Sequence, residues 1–170
     1  GLPDYSVVIE NPDRCPRYTA TLIENVYVKE SPAWLKTLVT NGGMRPINCI
    51  VDISNYVMMA VGQPTHAFDS THVEGEKIVV RLAKEGEKLL LLDENDLDLS
   101  TDDLVICDTA EPMGLAGIKG GKKDSILPET TSITLCPKTD TAFPCAALIM
   151  TYAAKEAAST NSTIVTISDR

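Results

Sequence analysis

The 170-residue chain is long enough for one domain with a real core, and 44% hydrophobic against 23% charged residues, with mean hydropathy near zero, is a soluble globular composition. A net charge of −9 and a pI of about 4.6 repel phosphate backbones at long range, which excludes broad non-specific nucleic-acid binding but not a nucleic-acid end held in a pocket. No apolar run approaches the roughly 18 residues of a membrane helix, and residues 1–10 lack the basic start and apolar stretch of a secretion signal, so a cytoplasmic protein with no membrane partner is expected.

In chain order, residues 21–28 are aliphatic and β-branched enough for a strand. Ser31 then reads as an N-cap with Pro32 at the first helical position, and Gly42-Gly43 ends that short helix. A second helix is predicted over residues 48–60, capped by Asn48, with a core stripe of Ile50, Val51, Val57 and Met58. Asp52 and Asn55 fall off this stripe, and Gly62 and Pro64 stop the helix.

From Lys77 onward the period shortens. Apolar runs at 77–82, 88–92, 97–99, 104–107, 114–118 and 132–135 are separated by turn formers such as Glu94-Asn95-Asp96, as in a mixed or antiparallel sheet of short strands. Residues 145–157 read as a helix and 163–167 as a strand. Helices and strands are segregated rather than alternating, so the fold class is α+β with a few packed helices. The five cysteines, Cys15, Cys49, Cys107, Cys136 and Cys145, form no C-x-x-C pair. With only His66 and His72 beside them, they read as free thiols in a reducing compartment and not as a metal site.

Two stretches are dense in groups that bind or react. The second predicted helix delivers Ser54 and Asn55 near its C-terminal half, and a loop broken by Gly62 and Pro64 returns His66 to them. A hydroxyl, a carboxamide and an imidazole could thus converge on one small ligand; the bland alternative is a loop histidine bonded to nearby backbone. The second stretch is Pro112-Met113-Gly114-Leu115-Ala116-Gly117-Ile118-Lys119-Gly120-Gly121. It has neither the P-loop ending nor the dinucleotide spacing. It reads as a glycine-lined pocket wall or as a tight turn between strands.

Arg45-Pro46-Ile47-Asn48, Val51-Asp52, Ser54-Asn55-Tyr56-Val57-Met58, then Gly62-Gln63-Pro64-Thr65-His66-Ala67-Phe68-Asp69 and Leu115-Ala116-Gly117-Ile118-Lys119-Gly120-Gly121 resemble, in order and spacing, the B3/B4 domain of bacterial phenylalanyl-tRNA synthetase beta chains. Upstream, Glu10-Asn11-Pro12 and Cys15-Pro16-Arg17-Tyr18-Thr19 resemble that domain's entry, so the likeness spans residues 10–135. The resemblance implies that the whole of residues 1–170 is one B3/B4-like domain of a larger enzyme, phenylalanine–tRNA ligase. Such a domain hydrolyses tyrosine mistakenly attached to tRNA(Phe), a second sieve for an aromatic ring that binding alone discriminates poorly. Its implied partners are the tRNA(Phe) acceptor end, tyrosine or phenylalanine, the rest of the beta chain and the alpha subunit of a heterotetramer. It implies no cofactor or metal in this domain, ATP and Mg acting elsewhere in the synthetase. By motif position His66 and Asn55 would be catalytic, with Ser54, Pro64 and Gly117 lining the pocket.

The likeness departs after Leu135. The family continues with a glutamate that recognises the tyrosine hydroxyl, whereas this chain has Cys136 and Pro137, as though a segment before Lys138 were deleted, leaving residues 136–145 shortened. Cys136 thus takes the substrate-binding position, and a thiol is a weak hydrogen-bonding substitute. Glu129 or Asp140 could fill in. The alternative function is therefore a non-catalytic module that binds an aromatic amino acid, tRNA or a subunit.

Overall fold

The computed structural model describes residues 5–137 and 164–168. In chain order the elements are β1 (Ser6–Ile9), β2 (Thr19–Glu24), α1 (Ala33–Asn41), α2 (Cys49–Val61), β3 (Thr65–Asp69), β4 (Lys77–Leu82), β5 (Lys88–Leu90), β6 (Asp96–Asp98), β7 (Leu104–Cys107), β8 (Pro112–Leu115), β9 (Lys119–Gly120), β10 (Ser132–Pro137) and β11 (Ile164–Ser168). One sheet runs β11-β2-β10-β3 and a second β1-β4-β7-β8-β9, with β5 and β6 as a separate hairpin. Only β1 and β4 pair in parallel; every other ladder among the described residues is antiparallel. The α+β class and the sheet of short strands expected from the sequence are therefore what the chain adopts.

The layers follow from the two-residue period of strands. Ile23, Ile133, Leu135 and Ala67 leave one face of the β2-β10-β3 sheet and pack beneath α1 and α2, against Leu35, Val39, Ile50, Ile53 and Val57. Their neighbours Ala20, Leu22, Cys136 and Phe68 leave the other face and meet Ile78, Val80, Ile106 and Met113 of the second sheet. That sheet's far side, with Val105 and Cys107, is covered by Leu89, Leu91 and Leu99 around the β5–β6 hairpin. Three cores thus separate four layers.

Helix α2 begins where the sequence places it. The Asn48 carboxamide oxygen accepts from the Ile50 and Val51 amides at 3.1 and 3.0 Å, and Gly62, at φ 72°, terminates the helix in the left-handed region. Helix α1 differs from expectation. Its capping position is Pro32, with no side-chain cap. The Ser31 hydroxyl instead donates to the buried Asp52 carboxylate at 2.5 Å, while the other Asp52 oxygen accepts from the Ile47 amide at 2.8 Å. Asp52, off the apolar stripe, is therefore an internal brace and not a solvent-facing residue. Three strands were also unforeseen, β1, β3 and the two-residue β9; β3 occupies the segment read as a loop. Asn25, at φ 58°, ends β2 earlier than the predicted Val28. The predicted helix at 145–157 and most of the shortened segment 136–145 lie outside the described residues.

Candidate functional site

The N-terminal half of α2 with the residues just before it, strand β3 and the segment 118–126 line an open-mouthed cavity of about 310 Å³. That volume lies at the lower end of the range for small-molecule pockets, suited to an amino-acid-sized group. Ser54, Asn55 and His66 all line it, together with apolar Val51, Ala67 and Ile126. The convergence expected of hydroxyl, carboxamide and imidazole is thus present in the geometry.

The three groups are held differently. Ser54 Oγ donates to the Thr65 carbonyl at 3.0 Å, and Ser54 and Thr65 hydroxyls lie 2.9 Å apart. This latch fixes the start of β3 against α2, immediately before His66. The Asn55 carboxamide is half-buried on the cavity wall, with no hydrogen bond to it among the described residues. His66 packs edge-on to Phe68 with ring centroids 4.5 Å apart. It also packs on Gly120: a Cβ built there would lie 2.3 Å from His66 Cε1 and 2.7 Å from Nε2. Gly120 therefore exists as glycine because the imidazole needs that volume. Glycine spacing drew attention to this stretch, but nothing local to it shows that a histidine 54 residues earlier imposes the requirement.

The remaining predicted residues lie elsewhere. Gly117, at φ 73°, sits in the β8–β9 turn and lines a second, smaller hollow of about 20 Å³ with Tyr18, Phe68, Ile106 and His66. Both readings of the glycine stretch hold there, since Gly117 makes the turn and the turn walls a hollow. The predicted strand at 114–118 is in fact the end of β8 followed by that turn, and β9 begins only at Lys119. Pro64 precedes β3 and is not on the wall of either hollow. Cys136 is buried behind the site in register with His66 on the neighbouring strand. Burial pushes its thiol up to about 12, opposed by a hydrogen bond with the Tyr18 hydroxyl. Tyr18 is the site residue the sequence did not single out: its own hydroxyl is driven well above the usual phenol value by burial, so it stays neutral.

At the mouth the charges are paired. Lys119 reaches Asp93 at 2.5 Å and Lys122 reaches Glu94 at 2.8 Å, while Ile47, Leu92 and Ile118 stand exposed around the opening. Deeper in the same segment, Asp124 is 1% exposed and neither carboxylate oxygen has a hydrogen-bond partner among the described residues. Desolvation pushes its carboxyl up to about 7, opposed by Lys123 and reinforced by Asp108, Glu111 and Asp69. Among the described residues no group of three or more His, Cys, Asp and Glu could hold a metal ion, and no helix is long and apolar enough to cross a membrane. The arrangement offers an imidazole and a carboxamide on a largely apolar, open-mouthed cavity, groups able to hold a water or hydrogen-bond a carbonyl oxygen.

Comparison with known proteins gives this geometry a family. The B3/4 domain model matches residues 14–142. The phenylalanine–tRNA ligase beta subunit of Desulfotalea psychrophila is 50% identical over 133 residues, 78% of this chain and 16% of the relative. That of Moorella thermoacetica is 45% identical over 130 residues, 76% of this chain and 16% of the relative. An N-terminal fragment of the phenylalanyl-tRNA synthetase beta-subunit from Pyrococcus horikoshii shares the fold, with a TM-score of 0.68 at 14% identity, over 96% of this chain and 53% of that one. The chain thus spans about a sixth of the length of the curated relatives it matches.

Proposed function

This chain belongs to the B3/4 domain family, in the form that phenylalanine–tRNA ligase beta subunits carry, and we propose that its cavity hydrolyses the ester of a tyrosyl group wrongly joined to tRNA(Phe). The observation that carries this reading is the meeting of His66 and Asn55 on one cavity of about 310 Å³. An aminoacyl ester needs little more: a placed water, a donor for the carbonyl oxygen as charge grows there, and a volume that holds the side chain. In this reading His66 positions the water or the ester end, and Asn55 hydrogen-bonds the polar atoms of the aminoacyl group. The Ser54–Thr65 latch holds their relative position, and Gly120 keeps the imidazole unobstructed. Residues 1–170 act as one domain of the cytoplasmic synthetase, with the alpha subunit and the rest of the beta chain. ATP and Mg work in other domains of that enzyme. With a net charge of −9 this segment does not grip the tRNA body; it receives the acceptor end that more basic domains deliver.

The test is deacylation of tyrosyl-tRNA(Phe) by the full-length synthetase carrying His66→Ala. General acid–base and water-positioning groups contribute about 100-fold or more, so a fall of that order is expected. A wild-type rate in the variant removes His66 from the chemistry. A second reading has one observation in its favour: Cys136 is a buried thiol and not a cavity-facing acid. In that reading the domain binds an aromatic amino acid, tRNA or a subunit without hydrolysing anything. Saturable binding of free tyrosine with no deacylation would select it, and a flat titration would remove it.

A further inference from the structure

The cavity lies off one edge of a sheet. In the order β11-β2-β10-β3, strand β3 comes last, with β10 on one side and no strand among the described residues on the other. Along an antiparallel strand, one residue turns its main-chain N–H and C=O toward the partner and the next turns both away. Thr65 and Asp69 turn away from β10: the Thr65 carbonyl accepts from Ser54 Oγ at 3.0 Å, and the Asp69 amide donates to the Asp124 carbonyl at 3.0 Å. Strand β10 agrees. The Thr131 carbonyl accepts from Val26 on the β2 side, so Ile133 and Leu135, which stand opposite Asp69 and Ala67, also turn their main chain to β2. Ala67, midway between Thr65 and Asp69, therefore presents its N–H and C=O to the free edge. Its Cβ packs with the core beneath the helices, the His66 ring packs on Gly120, and both residues line the cavity. Among the described residues neither main-chain group of Ala67 has a hydrogen-bond partner. We propose that this edge holds the main chain of the aminoacyl group, the Ala67 N–H donating to the ester carbonyl oxygen and the Ala67 C=O accepting from the α-ammonium group. The proposal rests on the reading of the cavity as an aminoacyl site and names the groups that orient the ester in it.

The match is one of shape first. A strand residue carries its N–H and C=O on one side, and an α-aminoacyl ester carries an ammonium and an ester carbonyl in the same relation. Two such units face to face exchange two hydrogen bonds, the closely spaced pair of an antiparallel ladder. This pairing reads only the ligand's main chain and leaves its side chain to the rest of the cavity. It also suits the reaction. The water oxygen bonds to the ester carbon and an electron pair moves onto the carbonyl oxygen. That pair returns as the bond to the tRNA ribose oxygen breaks, and the ribose oxygen takes the proton the water gives up. The Ala67 N–H meets the carbonyl oxygen while it carries the charge. Pairing with β10 and the flanking bonds at Thr65 and Asp69 fix the direction of that N–H beforehand, so it need not reorganise during the step.

The experiment uses the full-length synthetase, unaltered and with Ala67 exchanged for lactic acid during translation. The exchange puts an ester oxygen where the N–H stood and keeps the methyl group. The ladder to β10 does not use that N–H, so the urea unfolding midpoint should move little. The expected result is a fall of about 10-fold or more in kcat for deacylation of tyrosyl-tRNA(Phe), with KM changed less. An unchanged kcat overturns the proposal and leaves the hydrolytic reading standing. Should the exchange lower the midpoint steeply, the substrate decides instead. The unaltered enzyme is given tRNA(Phe) esterified with tyrosine or with its deaminated analogue, each rate divided by the spontaneous one. A disadvantage of about 10-fold or more for the deaminated ester upholds the assignment, and equal ratios overturn it. If the unaltered enzyme releases neither ester, the hydrolytic reading fails separately, and titration with tyrosinamide and its deaminated counterpart decides. Tighter binding of tyrosinamide upholds the edge as the site of the main chain; equal affinities, or no binding of either, overturn it.

Discussion

The cavity has two walls of opposite construction. The α2–β3 wall is braced by a set of buried and part-buried hydrogen bonds: Asn48 caps the helix, Asp52 ties Ser31 to the Ile47 amide, and Ser54 latches onto Thr65. The facing wall, residues 118–126, has glycines at 120 and 121, surface ion pairs at Lys119 and Lys122, and a buried Asp124 with neither oxygen partnered among the described residues. Exposed ion pairs are worth little, and an unpartnered buried carboxyl is a cost. The difference teaches that His66 and Asn55 belong to the wall that is built to hold position. The opposing wall supplies shape and is the one conditions can loosen.

The largest test of this contrast is Asp52→Ala. It removes the acceptor of one buried donor, the Ser31 hydroxyl, and of the part-buried Ile47 amide; an orphaned buried donor costs on the order of 1–3 kcal/mol and the second less, so a loss of roughly 2–4 kcal/mol is expected in urea unfolding. A change of only a few tenths would mean the brace is decorative and the walls are alike. Next comes the pH dependence set by Asp124. Its folded pKa of about 7 lies above the ordinary carboxylate value, so the folded state holds the proton more tightly than the unfolded chain does. Stability is then fullest at acid pH, below the unfolded value, and falls as pH rises from about 4 through 7. Asp124→Asn should flatten that slope and leave the variant more stable than the unaltered protein at pH 8 by roughly 2–4 kcal/mol. Parallel unfolding midpoints for the two proteins from pH 5 to pH 8 would show that Asp124 has partners in solution that the contrast denies it.

How much of this was readable before the structure follows the same division. The braced wall is written locally: Asn48 and Gly62 bracket α2 within a few residues of the groups they satisfy. Strands β4 and β7 fell where dense aliphatic runs placed them, at Lys77–Leu82 and Leu104–Cys107. Where the determinant is distant, the reading failed. Strand β3 carries Thr-His-Ala-Phe-Asp, no strong strand pattern, and is extended because it pairs with β10, nearly seventy residues later. Ser31 resembles a cap only until Asp52 takes its hydroxyl. The need for glycine at 120 comes from the His66 ring, and the burial of Tyr18 from its packing in the core between the two sheets. Convergence of Ser54, Asn55 and His66 was legible because the middle of α2 and the short return into β3 bring them together. The depth of the site, behind His66, was not, because long-range sheet pairing creates it.

The smallest expected effect separates latch from contact. Ser54→Ala removes a hydroxyl that donates to the Thr65 carbonyl and shares a bond with the Thr65 hydroxyl, but α2 and β3 remain joined through the core beneath them. The stability loss should be about 1 kcal/mol, the usual worth of such a bond. If Ser54 acts only by holding β3 in place, deacylation should fall with it by a similarly small factor, far less than for His66→Ala, because the imidazole would still spend most of its time in position. A loss of activity as deep as that of His66→Ala, at unchanged stability, would mean that the Ser54 hydroxyl touches the ligand itself. The braced wall would then carry three reacting groups and no separate latch.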